Sequence, residues 1–303
     1  MGEFHGAGKR SAFFEGWYLK HQSGKNALAL IPAWHVDRRG RDSASLQVVT
    51  PGRSWTVPFS PKDFRARSDR FQVRLGGNLF TGQGVILRLR TRELELSGLL
   101  RYGPLAPPEG EMMGPFRFLP GMECRHGVLS FGHRLTGTFF LNGERLDFDG
   151  GLGYLEKDWG SSFPRDYLWT QCGWRDPEDG SVRCVMLSLA RIPYAGWEFP
   201  GCIASVWDGV REFRFATYHG ARIEEWSDRG ARLRQGSYCL EVRLLENRPL
   251  TLRAPHRGGM TRAIRESLCC RVRYRFWCGK VLLLDHTDEA ASFEAVGNPP
   301  DLG

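Results

Sequence analysis

The 303-residue chain is long enough for one large all-β domain or two smaller ones, and its net charge of +8 with a pI near 9.2 suits anionic partners. Its Arg and Lys are dispersed without a run of five or six, which reads as a basic surface rather than a nucleic-acid tail; no 18-residue apolar stretch occurs, which argues against a membrane-spanning helix. None of the eight cysteines, Cys124, Cys172, Cys184, Cys202, Cys239, Cys269, Cys270 and Cys278, forms a C-x-x-C pair, which leaves a zinc ribbon or a thioredoxin-like redox motif without support.

The opening residues, MGEFHGAGKRSAFFEGWY, have neither a continuous apolar core nor a small-residue cleavage site. A signal peptide is therefore not expected. Reduced thiols in a cytoplasmic protein are expected, with any contact with lipid peripheral. Met1 to Arg10 is Gly-rich and polar and reads as frayed. Phe13–Gln22 and Asn26–Val36 read as two strands joined at Ser23-Gly24-Lys25, with Ser45–Thr50 as a third. Trp55–Phe59 and Phe71–Gly82 follow, the second interrupted by paired glycines, and a turn or two of helix is expected near Pro61–Arg67.

The clearest alternation is Gly84–Gly103, where Val85, Leu87 and Leu89 interleave with Arg88 and Arg90, and Leu94 and Leu96 with Glu93 and Glu95. A period near two predicts half-buried antiparallel strands. Pro104–Met122 then breaks the pattern with Pro and Gly, which places a domain boundary near residue 120. Beyond it, Asn142-Gly143 predicts a tight hairpin, and Asp176-Pro177 with Asp179-Gly180, and Asp208-Gly209, mark two more. Further strands are expected at SYCLEVRLLE, PLTLRAP, LCCRVRYRFWCG and KVLLLDH. The prediction is an all-β protein of tandem lipocalin-like antiparallel β-barrels, over 1–120 and 121–303.

Chemistry concentrates in Gly153–Cys172, GYLEKDWGSSFPRDYLWTQC. Glu156, Lys157 and Asp158 lie against Trp159, with Phe163, Tyr167 and Trp169 close behind. A carboxyl group walled in by apolar rings loses hydration of its anion and can stay a proton donor near neutral pH, although a solvated turn beside ordinary core aromatics has the same spacing. In FFEGWY, Glu15 shares a strand face with Phe13 and Trp17, as a buried acid or as one half of an ion pair at a barrel end. Trp34 and His35 end an apolar strand, where a lone His is more often satisfied core than a ligand.

No H-E-x-x-H, G-x-S-x-G, phosphate loop or dinucleotide fingerprint occurs, so metal, nucleophilic and nucleotide chemistry are disfavoured. RVRYRFW, Arg271–Trp277, has the aromatic–arginine interleaving of a base-stacking surface, but equally that of a barrel strand with a wet outer face, and the strand is preferred. His256–Ser267, HRGGMTRAIRES, reads as a loop across a barrel mouth.

Taken together, FEGWY, GYLEKDWGSSFPRDYLWTQC and MTRAIRES resemble the tocopherol cyclase family, in the family's order across nearly the whole chain. The middle block is the specific one. The resemblance implies a tandem lipocalin-like fold shared with carotenoid hydratase-like proteins. It also implies closure of the chromanol ring of a prenylated hydroquinone, with no redox change and no cofactor. The ligand would be that amphipathic quinol or another isoprenoid; the basic surface would help the protein sit peripherally against anionic lipid, where such a substrate dissolves, and no nucleic acid is expected.

For such chemistry Asp158 is the first choice as acid, Glu156 the second and Glu15 the third. Trp159, Trp169, Trp17 and Tyr18 would stabilise the carbocation, and His35 would orient or deprotonate the phenol. Trp34, Phe163, Gln171, Arg265 and Glu266 complete the residues expected around the substrate, and no metal ligand is expected. Hydration of an isoprenoid double bond, or non-catalytic carriage of an apolar ligand, are the alternatives the sequence leaves open.

Overall fold

The computed structural model describes residues 2–119, 121–194 and 196–300. The first sheet contains β1 (Phe13–Ser23), β2 (Asn26–Val36), β3 (Asp42–Val49), β4 (Ser54–Phe59), β5 (Phe64–Ala66), β6 (Gln72–Leu75), β7 (Asn78–Thr81), β8 (Gly84–Arg90), β9 (Glu95–Tyr102), β10 (Cys124–Leu141), β11 (Glu144–Asp147) and β12 (Leu152–Gly160). The second contains β13 (Tyr167–Arg175), β14 (Val182–Tyr194), β15 (Trp197–Trp207), β16 (Glu212–Ala216), β17 (Arg222–Ser227), β18 (Gly230–Gln235), β19 (Tyr238–Glu246), β20 (Leu250–His256), β21 (Gly259–Cys278) and β22 (Val281–Val296). The strand orders are β4-β3-β2-β1-β12-β10-β9-β8-β7-β6-β5, with β11 beside β10, and β16-β15-β14-β13-β22-β21-β19-β18-β17, with β20 beside β21.

Each sheet wraps its own apolar cluster. Leu46 and Val48 near one end of the first sheet share a cluster with Phe64 and Val73 near the other, which requires the sheet to curl back on itself. The second cluster is likewise gathered from strands at both ends of its sheet, including Leu187, Phe215, Leu233, Val242 and Tyr274. Tandem lipocalin-like antiparallel β-barrels are expected, and the chain is indeed all-β with two antiparallel sheets, each curled about its own core. Among the described residues no ladder joins β4 to β5 or β16 to β17.

The local signals hold where turn chemistry is strong. β10 and β11 are joined by Asn142-Gly143 with φ of 50° and 85°, the paired positive angles of a hairpin turn that matches strand twist. β8 buries Val85, Leu87 and Leu89 and exposes Ile86, Arg88 and Arg90, as its alternation predicts. In β21, Val272, Tyr274 and Phe276 enter the second core while Arg271, Arg273 and Arg275 pair with Glu246, Asp285 and Glu241. The barrel-strand reading of RVRYRFW is the one found.

Four expectations are corrected. The compact units do not divide near residue 120. One comprises Met1–Gly110, Cys124–Phe163 and Leu252–Ala263, the other Glu111–Glu123, Pro164–Thr251 and Ile264–Gly303. Pro and Gly in 104–122 stop strand formation, but they say nothing about which sheet the chain joins next, and β12 pairs with both β1 and β10. The helical turn expected near 61–67 is a 3-10 turn at Pro61–Asp63, capped by Ser60 Oγ accepting from the Lys62 amide, and it passes directly into β5.

HRGGMTRAIRES is not a mouth loop, because Gly259–Cys278 is one continuous strand. Its turn is Arg257-Gly258, with φ of 52° and 80°. A Cβ on Gly258 would lie 1.9 Å from the Val36 carbonyl oxygen, so only glycine fits there. Finally, the first residues are packed. The Phe4 amide donates to the Arg67 carbonyl at 2.9 Å, and the Phe4 ring meets Trp17, Trp34 and Phe64.

Candidate active site

β12 is buried on both faces over most of its length, and this divides the candidate residues. Directly paired residues in antiparallel strands project to the same side. Glu15 is paired with Trp159 and Trp34, and Trp17 with Lys157, so these five share the face turned to the first core. Gly16 is paired with Asp158, Tyr18 with Glu156, Phe14 with His35, and His126 of β10 with Asp158. Tyr18, His35, His126, Glu156 and Asp158 therefore share the opposite face.

On the core face Glu15 is one half of an ion pair. Its Oε1 lies 2.6 Å from Lys157 Nζ, and its Oε2 accepts from the His5 amide at 2.8 Å. Lys157 also donates to the Glu3 carbonyl and lies 4.7 Å and 5.5 Å from the ring centroids of Trp159 and Trp17. The His5 ring stacks on Trp159 at 4.7 Å and its Nδ1 is 2.9 Å from Lys157 Nζ. Burial lowers the pKa of Lys157, and the neighbouring Glu15 carboxylate opposes that shift. Trp17 and Trp159 thus flank this cation in the core, and Glu15 is separated from Glu156 and Asp158 by the thickness of the sheet.

The opposite face carries a line of hydrogen-bonding groups. His126 Nδ1 is 2.9 Å from Asp158 Oδ1, His126 Nε2 is 3.6 Å from Glu156 Oε2, and the Tyr154 hydroxyl donates to that same Oε2 at 2.6 Å. Cys124 Sγ lies 3.9 Å from Asp158 Oδ1. Burial disfavours the His126 imidazolium, but Asp158 and Glu156 outweigh it and raise the pKa to about 9. The two carboxylates thus favour the imidazolium form at neutral pH, with its Nδ1 hydrogen-bonded to Asp158. The donor atoms of His126, Glu156 and Asp158 lie within 4.8 Å of one another, close enough to hold a metal ion. The hydrogen bonds and opposite charges already account for that spacing.

Near this line, His35 is buried, its Nε2 is 3.3 Å from Ser45 Oγ, and burial pushes its pKa down to about 4. It is a neutral imidazole at any ordinary pH. Phe163 packs edge-on against Phe14 at 5.4 Å. In the second unit Trp169 is paired with Glu294, and Glu266 with the same Glu294, whose carboxylate accepts from the Tyr167 hydroxyl. Trp169, Gln171 and Glu266 are buried, whereas Arg265, between Ile264 and Glu266 on β21, projects to the exposed side.

Sequence reasoning missed His126, Tyr154 and Glu294. Tyr154 was within reach, because a residue two before Glu156 in a strand must share its face. His126 was not, since only the pairing of β10 with β12 sets it beside Asp158.

These features define an all-β, two-sheet protein with a buried, charged histidine–carboxylate cluster on one face of its first sheet. A sequence model described as tocopherol cyclase-like matches residues 91–297, more than half of the chain, and the protein belongs to that family. The chloroplastic tocopherol cyclase of Zea mays is 27% identical over 224 residues, covering 70% of this chain and 44% of that one. This chain thus spans less than half the length of that relative. Two solved structures share the fold: CghA, 12% identical with a TM-score of 0.56 and coverage of 96% and 90%, and kievitone hydratase from Nectria haematococca, 10% identical with a TM-score of 0.51 and coverage of 93% and 88%. Among the described residues no helix is long and apolar enough to cross a membrane.

Proposed function

We propose that this protein closes a chromanol ring on a prenylated hydroquinone by acid catalysis. The observation that carries the reading is the buried line Tyr154–Glu156–His126–Asp158, set within the segment that the family model matches. Asp158, the more exposed of the two carboxylates, is the proton donor, supplied from the imidazolium. Its proton goes to the less substituted carbon of a trisubstituted prenyl double bond, leaving a tertiary cation. The phenol oxygen attacks that cation, a C–O bond forms, and the phenol proton returns to the carboxylate, so product and substrate are isomers.

Neutral His35 accepts the hydrogen bond of the phenol and positions it, and the rings of Phe14, Tyr18 and Phe163 offer their faces to the cation, worth about 1 to 2 kcal/mol each where water is excluded. Glu15 takes no part in proton delivery in this reading, because it is bound to Lys157 on the other face.

The test is turnover of an ortho-prenylated hydroquinone in heavy water. A chromanol that has gained one deuterium on carbon is expected, and Asp158→Asn is expected to abolish its formation while the folded protein still binds the quinol. A product heavier by one water would identify a hydratase instead. Unchanged quinol recovered in stoichiometric complex would identify a carrier.

A further inference from the structure

We infer that the tip of the β14–β15 hairpin, with the neighbouring turn Gly114–Phe118, is the surface by which the second unit docks on an anionic lipid bilayer. Trp197 is 82% exposed and Phe118 73%, and it is their grouping with Tyr194 and Phe116, not exposure alone, that marks a patch. Tyr194, also exposed, is the direct cross-strand partner of Trp197, so the two rings stand together at the tip. The turn is fastened beside the hairpin through Phe116, which packs on Phe199 at 6.0 Å and on Tyr218 at 5.5 Å. These contacts hold the turn against β15 and the 3-10 turn that carries Tyr218.

Composition selects the occupant. Trp and Tyr are the side chains that settle at the boundary between lipid headgroups and acyl chains, where an apolar ring and a polar tip are both satisfied. Arg117 lies over the Phe118 ring at 4.4 Å, and Arg165 and Arg191 bracket Glu198 and Asp166, giving three guanidiniums to two carboxylates. The whole chain carries +8, and a basic surface gains from anionic headgroups. The hairpin also overhangs the candidate residues of the second sheet. β13 begins at Tyr167, opposite Ala190, and β14 runs on four residues beyond that pair to Tyr194.

The choice of lipid as occupant rests on the isoprenoid reading above, but its test is separate. Vesicles of phosphatidylcholine with a third phosphatidylglycerol are sedimented with the intact chain, with Trp197→Ser/Phe118→Ser, and with Leu282→Ser. Leu282 is an exposed leucine near the turn between β21 and β22 and serves as the control. The double variant is expected to lose about tenfold or more in partitioning, as removal of two large apolar side chains from lipid requires, with the control unchanged.

The inference is overturned if the unaltered chain stays in the supernatant, if the double variant sediments like it, or if Leu282→Ser loses as much. The same holds if the tip instead holds two copies together without binding vesicles. Turnover of detergent-dispersed quinol by the double variant is expected to be unchanged, so loss of docking and failure of the proposed chemistry give different results.

Discussion

The substitution Asp158→Asn probes the charged cluster directly. His126 is held at about 9 rather than 6.5, and each unit of that difference is worth about 1.4 kcal/mol, so the fold prefers the imidazolium by about 3 kcal/mol. Because the folded value is raised, this stabilisation is complete below pH 6.5, fades as pH rises toward 9 and is absent above it. Asp158→Asn keeps a hydrogen-bond acceptor for Nδ1 but removes the nearer charge, leaving Glu156 at 3.6 Å from Nε2 to oppose burial. The titration midpoint of His126 is expected to fall by at least about one unit. The variant is expected to be less stable by about 2 kcal/mol at pH 6, with the gap closing by pH 10. Histidine side-chain NMR, assigned with His126→Gln, measures the midpoint, and urea unfolding at several pH values measures the gap. A midpoint still near 9 in the variant, or a gap that does not change with pH, refutes this account of the site.

Two further outcomes follow from buried charge elsewhere in the first unit. Lys157→Met leaves Glu15 buried without its 2.6 Å partner and is expected to cost about 3 to 5 kcal/mol in urea unfolding. Adding Glu15→Gln should restore much of it, and a double variant no more stable than the single would show that the pair is not the cause. Burial pushes His21 and His35 to about 4 and His133 to about 3. These lowered values mean that the unfolded chain takes up protons below pH 6.5 while the fold does not, so stability falls as pH drops through 6.5 toward 4. At pH 5 each group costs about 2 kcal/mol, or about 6 together, comparable with the stability of a whole domain. Unfolding free energy that is level between pH 7 and 5 would contradict it.

Strand positions were legible because hairpin chemistry is local: Asn142-Gly143 and the alternation of Gly84–Arg90 determine geometry within a few residues. Sheet membership was not, because β12 joins β1 across more than a hundred intervening residues and no residue in 104–122 encodes that choice. The candidate site divides the same way. Glu156 and Asp158 are two apart, and so share a face from the sequence alone. Trp159 stands beside Asp158 in the chain yet faces the other way. The adjacency of acid and ring in GYLEKDWG therefore joins groups on opposite sides of a strand, with Lys157 rather than an acid beneath Trp159. The ion-paired alternative for Glu15 is the one found, and its partner is Lys157.

The interleaving of the two units has a consequence for the order in which the chain is made. The first sheet is complete once β12 has been synthesised, yet residues 252–263 supply the Arg257-Gly258 turn, in which the Arg257 amide donates to Ser162 Oγ, the Gly258 amide donates to the Ser161 carbonyl, and Gly258 lies against Val36. A growing chain therefore exposes the margin of its first sheet until nearly the whole of the second has emerged. A stop codon anywhere before residue 252 would release a product lacking part of both units, so a fragment ending after β12 is a poor substitute for the first one.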